Sequence, residues 1–128
     1  MTFCKLSQQG FTLLELTAVL IILSVLAALA IPRYIDLDAG SRQKAIEAGI
    51  AELNGRENLT WSNIKISVTG WQDDTTTFGS INTDLGGDYI WTAGPDASGG
   101  TIKFGPSGVP VPLSRTQSTY TQPGYWQR

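Results

Sequence analysis

The sequence has no histidine and one cysteine, Cys4. Without an imidazole there is no base for a serine or cysteine triad and no histidine ligand for zinc, and the serines and threonines stand in no recognisable nucleophile context. Charge is sparse as well. Nine basic and eleven acidic side chains give a formal −2, so no basic patch marks the chain for nucleic acid. Internal repeats are also absent. These gaps argue against catalysis and leave a structural or binding role.

What is present is FTLLELTAVLIILSVLAALAI, Phe11 to Ile31, whose only ionisable side chain is Glu15. At about 1.5 Å per residue, a helix of this length spans roughly 30 Å, the hydrocarbon thickness of a bilayer. It has no polar face, because Thr12, Thr17 and Ser24 are small enough to satisfy their hydroxyls on backbone carbonyls. Pro32 and Arg33 end the run. A charge inside a membrane helix costs about 2.5 to 3.5 kcal/mol at the centre and less near an end, so Glu15 calls for a partner or a snorkelling route to the headgroups. Once this helix is set aside, the remainder suffices for one small domain.

Directly upstream stand Lys5, Gln9 and Gly10, a short polar leader ending in glycine before Phe11. Gly10, Phe11, Thr12, Leu13, Glu15, Leu16 and Pro32 together resemble the type IV pilin family, including the related pseudopilins of type II secretion. Ser24 departs from the pattern, since many relatives have glycine there. The likeness covers roughly the N-terminal third. It implies that a prepilin peptidase cuts after Gly10 and methylates the new amino terminus of Phe11, and that Glu15 assists assembly. It implies a single-pass protein held by inner-membrane lipid, drawn by the inner-membrane pilus assembly machinery into a helical homopolymer outside the cell, or in the periplasm for a pseudopilin. Neither cofactor nor enzymatic activity is implied. Cys4 would leave with the leader, so the disulfide loop that many members close near the C-terminus is not available here.

The implied cleavage has a physical consequence. It gives Phe11 an α-ammonium group at the edge of an apolar helix, and Glu15 of an adjacent subunit can neutralise it. An unpaired buried ion costs several kcal/mol, so this pairing favours the axial stagger that brings the two together. Two other readings stay open. A secretory signal peptide would use Ala28-Leu29-Ala30 as its cleavage site, although the run exceeds the usual apolar core and contains Glu15. A plain single-pass anchor, cytoplasmic on the Lys5 side, would suit a membrane-anchored binding module. The first mature residue separates them: Phe11, Ile31 or Met1.

The fold class expected is α+β, a long N-terminal helix packed on a small antiparallel sheet. Its expected parts are a leader at 1–10, a membrane-spanning or filament-core helix at 11–33, an amphipathic continuation at 34–55 and a β-rich globular domain at 56–128. Ile35, Ala39, Ile46, Ile50 and Leu53 recur at helical spacing. Pro32 predicts a kink or break, Gly40-Ser41 a weak point, and Asn54-Gly55 the helix stop. Beyond Arg56, alternating Ile64, Ile66 and Val68 predict a strand, as do Tyr89–Ala93 and Thr101–Phe104 on either side of the turn-rich 94–100 stretch. Val109–Leu113 is an edge strand or extended loop, since it contains Pro110 and Pro112. The tail from Ser114 either packs back on the sheet or meets a neighbouring subunit. Asp73, Asp74, Asp84, Asp88 and Asp96 lie in loop-like sequence as weak calcium candidates without EF-hand spacing, against the plainer reading of solvated turn residues. Asn58-Leu59-Thr60 fits a glycosylation sequon, and the scattered aromatics suit core packing.

Overall fold

A computed structural model describes residues 9–128; Cys4, Lys5 and most of the expected leader lie outside the described residues. The elements are α1 (Leu13–Lys65), α2 (Asp74–Gly79), β1 (Tyr89–Asp96), β2 (Gly99–Phe104), β3 (Val111–Thr116) and β4 (Tyr125–Gln127). They make the α+β arrangement, with the strands in the order β1-β2-β3-β4 and every neighbouring pair antiparallel. The chain divides into two compact units, the first ending at Ala39 and the second comprising Gly40–Arg128.

α1 is helical on both sides of Pro32, so the proline removes one N–H donor without ending the element. The expected stop at Asn54-Gly55 is not where the helix ends, and the 34–55 and 56–128 parts do not meet there. Asn54 is used by tertiary structure instead: its Nδ2 donates to the Trp126 carbonyl at 3.0 Å and its Oδ1 accepts the Trp126 N–H at 2.6 Å. Gly55 stays helical. The chain leaves α1 only after Lys65, through successive turns in which Ser67 N–H reaches Ile64 O and Gly70 N–H reaches Ser67 O, both at 3.1 Å, with Gly70 at φ +65°. The strand expected at Ile64, Ile66 and Val68 is therefore replaced by the last turn of α1 and the bend after it.

The β1–β2 hairpin turns at Ala97-Ser98, tighter than the 94–100 loop the sequence suggested. Asp96 Oδ1 accepts from Ser98 N–H, Ser98 Oγ and Gly99 N–H at 2.8, 2.6 and 3.1 Å, an Asx-type turn. Gly99, at φ +142°, has no room for a side chain, since a Cβ there would lie 2.1 Å from Leu113 O. β3 starts at Val111 and continues to Thr116, with Pro112 opposite Thr101. β4 pairs only with Ser114, Arg115 and Thr116, so the first half of β3 keeps an open edge beside its proline.

The core lies within Gly40–Arg128. Ile46 and Leu53, two turns apart on α1, meet Ile102, Leu113 and Trp126 from three strands. Ile50, Phe78, Leu85, Tyr89, Trp91, Phe104 and Val111 pack around them. Gly49 lets the sheet approach: a Cβ would stand 2.8 Å from the Tyr89 ring, whose hydroxyl donates to Ala45 O at 2.7 Å. The tail does pack back on the sheet, and Trp126 is 2% exposed.

Candidate functional site

Gly10 and Phe11 lie outside the helix in irregular, exposed backbone, and Phe11 is 86% exposed. α1 then begins with a reciprocal pair. Thr12 N–H donates to Glu15 Oε2 at 2.9 Å, and Glu15 N–H donates to Thr12 Oγ1 at 3.2 Å. This is a capping box, in which a threonine and a glutamate three residues on satisfy donors that the first helical turn leaves unpaired. Glu15 also places negative charge at the positive end of the helix dipole. The T-x-x-E spacing was visible in the sequence, but the membrane reading of Glu15 hid its local use. One carboxylate oxygen is thus occupied, while Oε1 makes no hydrogen bond among the described residues.

Above this box α1 is apolar all round as far as Ile31. Thr17 Oγ1 donates to Leu13 O and Ser24 Oγ to Ile21 O, each at 2.8 Å, which satisfies these two hydroxyls on backbone carbonyls as expected, whereas Thr12 Oγ1 instead accepts the Glu15 N–H. α1 contains a stretch long and apolar enough to cross a membrane, and none of that stretch is buried within the chain. Pro32 lies in the same exposed part of the helix.

The weak calcium candidates are not brought together, and among the described residues no three acidic, histidine or cysteine side chains form a metal-binding group. Asp73 is the N-cap of α2, accepting Thr76 N–H at 2.7 Å. Asp84 Oδ1 accepts Gly86 N–H at 2.9 Å, Asp88 lends its carbonyl to Gly105 N–H, and Asp96 closes the hairpin. Asp74 serves a buried network. Its two oxygens accept from Arg115 Nη1 and Nη2 at 2.8 and 2.9 Å, and Oδ1 also accepts from Ser118 N–H and Oγ.

Burial pushes the Asp74 carboxyl up, but the hydrogen bonds from Arg115 and Ser118 outweigh it and hold it below the usual carboxylate value. Hydrogen bonds from Thr76 and Ser98 lower Asp73 and Asp96 in the same way. A carboxyl depressed in the folded state stabilises fully above its unfolded pKa, and the contribution is lost as pH falls through the folded value. The melting midpoint should therefore hold steady near neutrality and drop once pH passes below about 4. Circular dichroism melts over an acid series check this; a midpoint that falls already at pH 6 contradicts it.

Residues 5–31 match the family described as the prokaryotic N-terminal methylation motif. A curated relative, the type IV narrow pilus major component PilA5 of Thermus thermophilus, is 42% identical over 43 residues, 34% of this chain and 37% of the relative. The N-terminal segment is therefore similar to that of a type IV pilus component. The match spans little more than a third of that relative's length, and no solved structure matches the chain.

With no cysteine after position 4, the C-terminal region closes without a disulfide. Here an ionic clasp does so. Arg115 Nε donates to Glu57 Oε1, Nη2 to Glu57 Oε2 at 3.2 Å and Nη1 to Ala97 O at 2.9 Å, while Trp126 Nε1 donates to Glu57 Oε1 at 3.0 Å. The guanidinium also lies 4.8 Å from the Phe78 ring centre. Glu57 and Arg115 side chains are fully buried, and among the described residues no buried side-chain nitrogen or oxygen lacks a partner. α1, α2, β3 and β4 are thereby tied together at one point. Gly124 makes room for the clasp: a Cβ would sit 2.8 Å from Glu57 Oε2 and 2.9 Å from Arg115 Nη2. Gly124→Ala should cost about 1–3 kcal/mol by crowding these charges, measurable as a lower urea midpoint with unchanged slope.

Proposed function

We propose that the chain is a structural, non-catalytic subunit that polymerises through its N-terminal helix into a type IV pilus filament after the leader is removed at Gly10. The carrying observation is an exposed apolar helix, capped at Thr12–Glu15, immediately after a non-helical Gly10-Phe11 junction. The non-helical junction suits a peptidase, which needs backbone outside a helix to reach the scissile bond. The exposed helix has two compatible environments. It sits in inner-membrane lipid as a single span, and then among identical helices in the filament centre, with the Gly40–Arg128 units outside. Copies related head to tail do not close, so the assembly propagates. A relative named as a major pilus component supports a bulk subunit over a minor pilin or pseudopilin.

The test is electron microscopy of sheared surface filaments together with mass spectrometry of their main component. The expected product begins at methylated Phe11. Recovery of a lone membrane-bound monomer beginning at Met1 or Ile31 overturns the reading.

A further inference from the structure

We propose that two exposed aliphatic tips at opposite ends of the Gly40–Arg128 unit, Ile66 with Val68 after α1 and Val109 in the β2–β3 connection, form the two halves of one contact between successive copies of this chain. This rests on the filament reading above and adds which outer surfaces meet. Ile66, Val68 and Val109 are 84%, 106% and 79% exposed, more than any other large hydrophobic described in the Gly40–Arg128 unit. The bend holding Ile66 and Val68 is otherwise built of Ser67, Thr69 and Gly70, and its geometry asks for no apolar side chain.

Placement decides the partner. Arg42 Nη1 donates to Ser107 Oγ at 3.0 Å, which sets the β2–β3 connection beside the start of this unit's helix. Ile66 follows the last helical residue, Lys65. Arg42 to Lys65 is about 35 Å at the helical rise of about 1.5 Å per residue, so the tips lie at opposite ends. A surface of this kind is complementary to another copy displaced along the helix axis, and it is not self-complementary. The contact is heterologous and leaves a free tip at each end of any oligomer, so it extends without limit.

Each tip is also preformed, which lowers the ordering cost of docking. Ser67 Oγ donates to Ile64 O at 2.7 Å and Gly70 N–H to Ser67 O at 3.1 Å at one end. At the other, Lys103 Nζ donates to Pro106 O at 3.0 Å, Gly108 N–H reaches Gly105 O at 3.2 Å, and Gly105 sits at φ +74°. Val109 and Pro110 then project from a fixed turn.

The experiment uses full-length protein in cells that make filaments, carrying Val68→Cys with Val109→Cys. Because Cys4 is the only native cysteine and precedes the cleavage point, oxidation of sheared filaments with copper phenanthroline reports the new pair alone. The expected result is a ladder of covalent multimers on a non-reducing gel, absent from either single variant and from Asn58→Cys with Val109→Cys. In unoxidised filaments, Val68→Cys should react with a soluble maleimide roughly tenfold more slowly than Asn58→Cys, because a docked side chain is shielded from the reagent. Filaments that give no ladder and label freely at Val68→Cys overturn the proposal while leaving the filament reading intact. If the unsubstituted chain forms no filaments, that reading fails and this proposal fails with it.

Discussion

Arg115→Ala is expected to cost about 3–5 kcal/mol, lowering the thermal midpoint of the full-length protein in detergent by about 12 °C or more. The reason lies in what the substitution leaves behind. Glu57 is fully buried and two of its hydrogen bonds come from Arg115, so the variant strands a carboxylate with only Trp126 Nε1 as a donor. Asp74 loses both guanidinium contacts but keeps Ser118 and stands nearer solvent, so it contributes less. A second substitution separates the charge from the lost packing. Arg115→Ala with Glu57→Gln keeps an oxygen for the Trp126 N–H and removes the unpaired charge, so the double variant should melt above Arg115→Ala alone. If Glu57→Gln restores nothing, the loss comes from the cavity and the ionic account of the clasp is wrong.

The clasp also marks where sequence reading stops. Glu57 and Arg115 are 58 positions apart, and nothing local distinguishes them from solvated charges. Their pairing follows from tertiary contacts that bring β3 onto α1. Asn54-Gly55 misled for a related reason: local propensity favoured a stop, but Asn54 is worth more bonded to Trp126 than as a cap, and packing of Leu53 and Glu57 holds the helix together on either side. Alternation at Ile64, Ile66 and Val68 misled because period two signals a strand only where another strand can pair with it. By contrast, β1 and β2 were legible from their apolar content and the turn residues between them. Pro112 was legible only in part: β3 is an inner strand between β2 and β4 rather than the expected edge strand or loop, but β4 pairs only with Ser114, Arg115 and Thr116 and leaves the half of β3 that holds Pro112 open on that side. The apolar run could be read directly because its length and composition are local properties, whereas the Thr12–Glu15 capping box went unread behind the membrane reading of Glu15.

Glu15 carries the second large effect, and two substitutions divide its roles. Glu15→Ala removes both the acceptor for Thr12 N–H and the negative charge. Glu15→Gln removes the charge alone, because glutamine completes a capping box as glutamate does. Under the proposed cleavage after Gly10, Thr12 would keep its amide N–H, so the box would persist while Glu15 Oε1 would stay available to a neighbour's α-ammonium. Losing the cap costs about 0.5–2 kcal/mol, too little to expel so apolar a helix from the bilayer, and losing the charge makes insertion easier. Both variants should therefore reach the membrane at the level of the unsubstituted protein. Within a filament the balance reverses. Every subunit would then hold an amino terminus with no carboxylate to meet it, at several kcal/mol per copy. Filament yield from sheared cells, set against the amount in the membrane fraction, should fall at least tenfold for both variants, since about 1.4 kcal/mol already gives that factor. Full assembly with Glu15→Gln alone would assign Glu15 to helix capping, and full assembly with both would remove the charge pair from the mechanism of stagger.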